Sequence, residues 1–176
     1  DERSMAGQSE QGRTVILVAN GLKMIGFISI ADEIRPQTRQ AIASLKSMGI
    51  RRITMLTGDN DKVARSVADE IGVDGYRAGL LPEQKQEFVR NLQNDGRLVG
   101  MIGDGINDAP ALALSDVGIA MGAAGTDVAI ETADVTLMND DLSRVVDFIW
   151  MSRKVFRRIK LNIFFSIIYN VVGLTL

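Results

Sequence analysis

Short apolar runs and longer amphipathic stretches take turns along this chain. Thr14–Ala19 and Leu22–Ile30 are rich in β-branched and aromatic residues, and Asn20-Gly21 lies between them. That dipeptide accepts positive φ readily, so the segment predicts a β-hairpin. Pro36 suits the first turn of a helix that runs to about Met48, where Gly49 ends it. The pattern then predicts a strand over 51–56, a helix over 60–71 stopped by Gly72, and a short strand around Tyr76. A helix over 82–94 opens on Pro82. It is followed by a strand over 97–102, a helix near 107–115, a strand over 117–120, a helix near 126–132 and a strand over 134–137. Alternation of this kind predicts an α/β fold with a parallel sheet covered by helices on both faces. Residues 1–13 read as a flexible start, and Asp1–Gln11 lacks the apolar centre of a signal peptide.

The final segment changes character. Asp140-Asp141 opens a long helical pattern that carries a basic cluster, Arg153, Lys154, Arg157, Arg158 and Lys160. Residues 161–176 then run without charge. Basic residues against an apolar run mark the cytoplasmic end of a membrane helix, although this run is shorter than the roughly 20 residues that span a bilayer. The competing reading is an amphipathic helix packed on the domain with its basic side solvated. Within the run, Tyr169 and Asn170 are polar. They either line a pathway or form a helix–helix hydrogen bond.

Composition adds limits. The 176 residues are enough for one domain with a real core, and 46% hydrophobic with 24% charged residues is ordinary for a globular chain. A net charge of −2 gives no general reason to expect nucleic acid. The chain has no cysteine, which excludes disulfides and cysteine metal sites within it. No internal repeat is visible.

Candidate chemistry gathers where strands should end. Met101-Ile-Gly-Asp-Gly-Ile-Asn-Asp-Ala-Pro110 places Asp104 and Asp108 at the carboxyl edge of a strand, where open α/β sheets bind ligands. Gly103 and Gly105 let the backbone approach a ligand, and two carboxylates suit a hard cation such as Mg²⁺. The plainer reading is an acidic loop that closes a turn. A second strand ends at Thr57-Gly58-Asp59-Asn60. There a hydroxyl, a close backbone N–H and a helix N-terminus form a phosphate site, with Asp59 or Asn60 also able to cap the helix. Lys85 falls in the first turn of the helix that begins at Pro82, where a cation opposes the helix dipole. It is either a solvated surface residue or a charge held for a phosphate.

Taken together, Thr57-Gly-Asp, Pro82-Glu-Gln-Lys85 and Gly103-Asp-Gly-Ile-Asn-Asp-Ala-Pro-Ala-Leu112 resemble the haloacid-dehalogenase-like phosphotransferases, and within them the phosphorylation domain of P-type ATPases. Val117-Gly-Ile-Ala-Met-Gly122 and Gly125-Thr-Asp-Val-Ala-Ile-Glu-Thr-Ala-Asp134 resemble the heavy-metal-transporting branch. The likeness covers nearly all of residues 12–176. It implies a parent that uses ATP and Mg²⁺ to phosphorylate an aspartate and exports a metal ion. Asp104 is then the Mg²⁺ ligand, with Gly105 beside it. Thr57 and the Gly58 N–H hold phosphoryl oxygens, and Lys85 neutralises charge. Asn107 and Asp108 position the phosphoryl group or the Mg²⁺ shell, and Asp59 lies at the nucleotide–phosphate junction. The Tyr169-Asn170 pair resembles copper transporters and implies contact with the transported ion. The implied partners are the rest of the same transporter, the metal ion and a lipid membrane, with no nucleic acid.

One departure stands out. The family's phosphorylated aspartate lies in an Asp-Lys-Thr-Gly-Thr string, which this chain does not contain, and the chain has no histidine. The expected organisation is the end of a nucleotide-binding domain over 1–31, closing on the hairpin, and the phosphorylation-domain remainder over 32–139. A linker helix and partial membrane helix follow over 140–176, with Asp32–Pro36 as the hinge. The sheet is expected to lack its central, nucleophile-bearing strand. The resemblance thus describes the C-terminal piece of a longer protein, inactive alone, with residues 1–160 on the cytoplasmic side. Two other classes compete. A soluble dehalogenase-like phosphatase would need its own early nucleophile, and Asp32 precedes a helix without Thr-Gly-Thr. A non-catalytic, membrane-tethered interaction domain would not explain Asp104, Asp108, Thr57 and Lys85 together.

Overall fold

A computed structural model of the protein describes residues 14–21, 23–30, 34–104, 107–122 and 131–175. The predicted hairpin is present. Strands β1 (Thr14–Asn20) and β2 (Lys23–Ile30) pair antiparallel, with Asn20 opposite Lys23 and a bulge between Val18 and Ala19. Gly21 turns the chain at φ 61°, a conformation that its missing Cβ permits. Side chains from both faces of this ribbon, Ile16, Leu17, Ile25 and Ile28 among them, stand in solvent.

The alternating segment follows the expected order: α1 (Gln37–Ser47), β3 (Thr54–Leu56), α2 (Asp61–Ile71), β4 (Gly75–Arg77), α3 (Pro82–Asn94), β5 (Gly100–Gly103), α4 (Ala109–Leu114), β6 (Val117–Met121), β7 (Val135–Leu137) and α5 (Ser143–Thr175). Pro36 is the N-cap of α1 rather than its first residue, and Gly72 closes α2 in the left-handed region at φ 75°. The helix expected near 126–132 falls largely outside the described residues.

All pairings after the hairpin are parallel, but they form two sheets, β3–β4 and β5–β6–β7. No pairing joins β3 to β5 among the described residues, which is the gap expected where the central strand is missing. Alternate residues of the strands face opposite ways. Met101 and Ala120 join Val89, Ala111 and Leu112 on one face, and Leu56 of β3 packs against this group. Ile119 and Ile102 turn to the other face, with Leu45 of α1 and Val145 of α5. Each fully buried aliphatic side chain of this kind contributes about 1.5–3 kcal/mol.

Strands β3 and β5 start later than their apolar runs suggest. Asp74 accepts the Ile53 N–H at 2.8 Å, and Asp116 accepts the Val99 N–H at 2.8 Å. Asp134 does the same for the Gly118 N–H, also at 2.8 Å. Each aspartate immediately precedes a strand and clasps the beginning of the neighbouring one, so the ladder begins beyond the clasped amide. Leu98 is consequently left 90% exposed. The Lys46 ammonium at 2.5 Å and the Ile53 N–H hold the Asp74 carboxyl below its ordinary range. Its contribution to stability is present above the ordinary carboxyl pKa and is lost as pH falls through the lowered value.

Helix α5 is continuous, but its two halves differ. Val145 is buried, with Val146, Phe148 and Ile149 packed beside it. From Trp150 to Val172 every residue is exposed. The expected start of a membrane span is helical, yet among the described residues no helix is long and apolar enough to cross a membrane. The reason lies in the sequence: Arg157, Arg158 and Lys160 interrupt the apolar character, and the uncharged stretch begins only at Leu161.

Candidate functional site

The site is built from the ends of β3 and β5. β3 delivers Thr57, whose N–H donates to the Arg77 carbonyl and whose own carbonyl accepts the Leu80 N–H, both at 3.0 Å. The Asp59 carbonyl accepts the Gly79 N–H at 2.7 Å. These bonds fasten the loop before α3 onto the Thr57–Asp59 turn. The Thr57 hydroxyl donates to Asp59 Oδ2 at 2.7 Å, and the Asp59 N–H donates back to Thr57 Oγ1 at 3.1 Å. Asn60, not Asp59, caps α2 by accepting the Val63 N–H at 3.1 Å. The Asp59 carboxylate is therefore committed to Thr57. Gly58 is not required by space, because a Cβ there would make only ordinary contact, 3.5 Å from the Leu80 carbonyl.

Lys85 follows from the same loop. Its N–H donates to the Leu81 carbonyl at 3.1 Å, while Gln84 Oε1 accepts the Leu81 N–H at 2.9 Å. That first turn points the Lys85 side chain at Asp108, with Nζ 2.7 Å from Oδ1. The two side chains are only 14% and 13% exposed, which excludes the solvated-surface reading of Lys85. Asp108 in turn lies against the end of β5. A Cβ on Gly103 would sit 2.6 Å from its Oδ2 and 2.7 Å from its Cβ, so only glycine admits this packing. Asp104 comes next and accepts the Asn107 N–H at 3.1 Å, with the Asn107 amide 3.4 Å from its other oxygen.

The structure thus joins Thr57 to Asp59, and Lys85 to Asp108, Gly103 and the Asp104–Asn107 turn. Gly105 lies outside the described residues. Tyr169 and Asn170 belong to the exposed half of α5 rather than to this cluster. Tyr169 is 80% exposed, and the Asn170 amide donates to the Ser166 carbonyl of its own helix at 2.9 Å. Among the described residues no group of three or more acidic or histidine side chains could hold a metal. Two carboxylates at one strand end still fit Mg²⁺, which commonly takes one or two carboxylates and completes its shell with water and phosphate oxygens. Of the two, Asp108 is held nearly buried by Lys85, whereas Asp104 is exposed at the strand end. The role of Gly103 and the Lys85–Asp108 partnership were not readable from spacing, since nothing local in sequence ties position 85 to position 108.

The ion pair has a measurable consequence. Lys85→Met leaves Asp108 nearly buried without its cation, and the expected loss of stability is about 2–3 kcal/mol. Adding Asp108→Asn should recover most of it, and urea unfolding of the two variants checks both statements. Equal stability of Lys85→Met and the parent would mean that the pair is not coupled.

The fold, with its carboxylates and lysine gathered at strand ends, is that of a hydrolase-like α/β domain. Residues 2–116 match the haloacid dehalogenase-like hydrolase family, and the chain belongs to it. Its homologues are heavy-metal P-type ATPases. The chain is 52% identical over 164 residues to a manganese-exporting P-type ATPase of Mycobacterium tuberculosis, which covers 93% of this chain and 23% of that protein. It is 47% identical over 173 residues to copper-transporting ATPase 1 of Mus musculus, covering 98% of this chain and 12% of that protein. The crystal structure of a zinc-transporting PIB-type ATPase in its E2·Pi state superposes with a TM-score of 0.77 at 39% identity, over 92% of this chain and 26% of that one. The chain spans about a quarter or less of the length of these relatives.

Proposed function

We propose that this chain is part of an ATP-driven heavy-metal export pump that works through an aspartyl-phosphate intermediate. The observation that carries the reading is the Lys85–Asp108 pair closing on Gly103 beside Asp104, on a helix whose leading loop is bonded to Thr57. In this reading residues 1–31 end a nucleotide-binding domain, 32–139 form the remainder of the phosphorylation domain, and 140–176 lead towards the membrane. Residues 1–160 face the cytoplasm. The rest of the transporter supplies the phosphorylated aspartate, on a strand that fits between the facing edges of β3 and β5.

The chain's own residues then divide the work. The Gly58 N–H holds a phosphoryl oxygen, and the Thr57 hydroxyl, whose one proton goes to the Asp59 carboxylate in the resting site, turns that proton to the phosphoryl group when it arrives. Lys85 sets positive charge against the phosphoryl group, and its pairing to Asp108 keeps the ammonium in place before that group arrives. Asn107 orients Asp104, which would hold Mg²⁺. That ion, when bound, neutralises charge on the phosphoryl oxygens. Such catalysis is positioning and electrostatic stabilisation. The transported ion is assigned as copper on the Tyr169-Asn170 pair.

Incubation of the complete protein with γ-labelled ATP and Mg²⁺ should give an acid-stable, hydroxylamine-sensitive label, whereas the 176-residue chain alone should take up none. Label on this chain would overturn the placement of the nucleophile elsewhere. Copper should stimulate turnover of the complete protein; stimulation by zinc or manganese alone would remove the copper assignment and leave the pump.

A further inference from the structure

Helix α3 carries Lys85 at its head, and its tail is fastened at a point remote from the strand ends. Lys85, Val89 and Gln93 are spaced four residues apart and so form one stripe along the helix. Each meets a successive part of α4. Lys85 pairs with Asp108, the N-cap of α4, at 2.7 Å. Val89 is buried in one cluster with Ala111 and Leu112. Gln93 Nε2 donates to the carbonyl of Leu114, the last residue of α4, at 2.9 Å. The same amide donates to Asp116 Oδ2 at 3.3 Å, and that oxygen also accepts the Val99 N–H at 2.8 Å. Val99 leads directly into β5, the strand that delivers Asp104. Gln93 thus joins the tail of the lysine helix, the tail of α4 and the start of β5.

We infer that Gln93 is a positioning residue for Lys85: it sets the register of α3 against α4 and β5, and so holds the ammonium at Asp108. The three contacts along the stripe differ in what they can fix. The packing of Val89 is non-directional and permits sliding. The ion pair fixes one distance at the end of a flexible four-carbon stem. The bonds from Gln93 are directional. Its amide has two donors, and both face acceptors, one of them a helix-end carbonyl that α4 itself leaves unsatisfied. The head of α3 is bonded elsewhere, since the Leu80 N–H donates to the Thr57 carbonyl at the end of β3. Without Gln93 the helix is free to follow β3 and to carry Lys85 away from Asp108. Gln93 lies about 12 Å along the helix from Lys85, so it acts through Lys85 and not on a reacting atom. The register does not depend on the pump reading, but any effect on phosphorylation rests on the role proposed there for Lys85.

Urea unfolding of the full chain tests the register. Gln93→Leu keeps the bulk and removes both donors, Lys85→Met removes the cation, and a third variant carries both. Unconnected sites this far apart multiply in the unfolding equilibrium constant to within about twofold. The double variant should instead be at least about fivefold less destabilised than that product, because loss of Gln93 has already loosened the ion pair. Gln93→Asn, one methylene shorter, runs the same cycle if Gln93→Leu does not fold, and it too should show coupling. In the complete protein, Gln93→Leu should slow phosphorylation by γ-labelled ATP about 10–100-fold, with the KM for ATP within about twofold of the parent. Gln93→Lys, which can donate to both acceptors, should recover most of that rate. Simple multiplication of the single effects would overturn the inference, as would equal slowing in Gln93→Leu and Gln93→Lys. Coupling in the chain with unchanged phosphorylation in the complete protein would uphold the register and remove Lys85 from the phosphoryl chemistry.

Discussion

Asp104→Ala in the complete protein is expected, on the proposed pump reading, to lower Mg²⁺-dependent phosphoenzyme formation by about 10²–10³-fold or more while the fold survives. The carboxylate stands at the exposed end of β5, where it accepts the Asn107 N–H and faces the Asn107 amide, three residues away on the same turn. Asp104 is exposed and belongs to neither buried cluster, so unfolding free energy should change by only about 0.5–1 kcal/mol. Its larger effect falls on charge. Asp108 cannot substitute, because Lys85 holds it at 2.7 Å and any movement would strip a nearly buried ammonium of its partner. Labelling with γ-labelled ATP over a Mg²⁺ titration measures the loss, and near-normal phosphoenzyme at ordinary Mg²⁺ would reject Asp104 as the ligand.

Gly118→Ala should be as damaging to stability as Asp104→Ala is to chemistry. A Cβ at Gly118 would lie 2.7 Å from the Leu112 carbonyl oxygen and 3.1 Å from its carbonyl carbon. Both are backbone atoms, so α4 itself must move. It cannot move freely, because Ala111 and Leu112 are each 1% exposed and locked among Val89, Met101 and Ala120. Gly118 also sits in β6, the central strand of its sheet, with its N–H clasped by Asp134. Overpacking of this kind costs about 1–3 kcal/mol, and a rigid backbone neighbour places this case near the top of that range. Against a domain stability on the order of 5–15 kcal/mol, the urea midpoint should fall visibly. An unchanged midpoint would show that α4 is free to shift.

What could be read in the sequence was local. Asn20-Gly21 set the hairpin and Gly72 stopped α2, because positive φ is a property of the residue that adopts it. The strand ends at Thr57 and Gly103 followed from apolar runs broken by Gly-Asp. What could not be read was set by groups distant in sequence. The late starts of β3 and β5 come from Asp74 and Asp116, each some twenty residues from the amide it clasps. The burial of Lys85 comes from Asp108, and the need for glycine at position 103 comes from where that carboxylate packs. Between Asp59 and Asn60, either could cap a helix. Only the Thr57 hydroxyl, by claiming Asp59, decides which one does.

The division of the sheet has a consequence for how the site could be tuned. Each half is made of contiguous chain, β3–β4 within residues 54–77 and β5–β7 within 100–137, and each is internally fastened by its own ladder. Thr57 and Asp59 ride on one half; Asp104 and Asp108 ride on the other, and Lys85 reaches across from α3. Hydrogen-bonded ladders tie the strands within each half, whereas between the halves the described contact is side-chain packing, Leu56 of β3 against Met101 and Ala120. Displacements of about 1 Å between catalytic groups are enough to alter rates by 10²-fold, so on the proposed reading a strand seated between β3 and β5 would act as the shim that sets the working distance of the two halves.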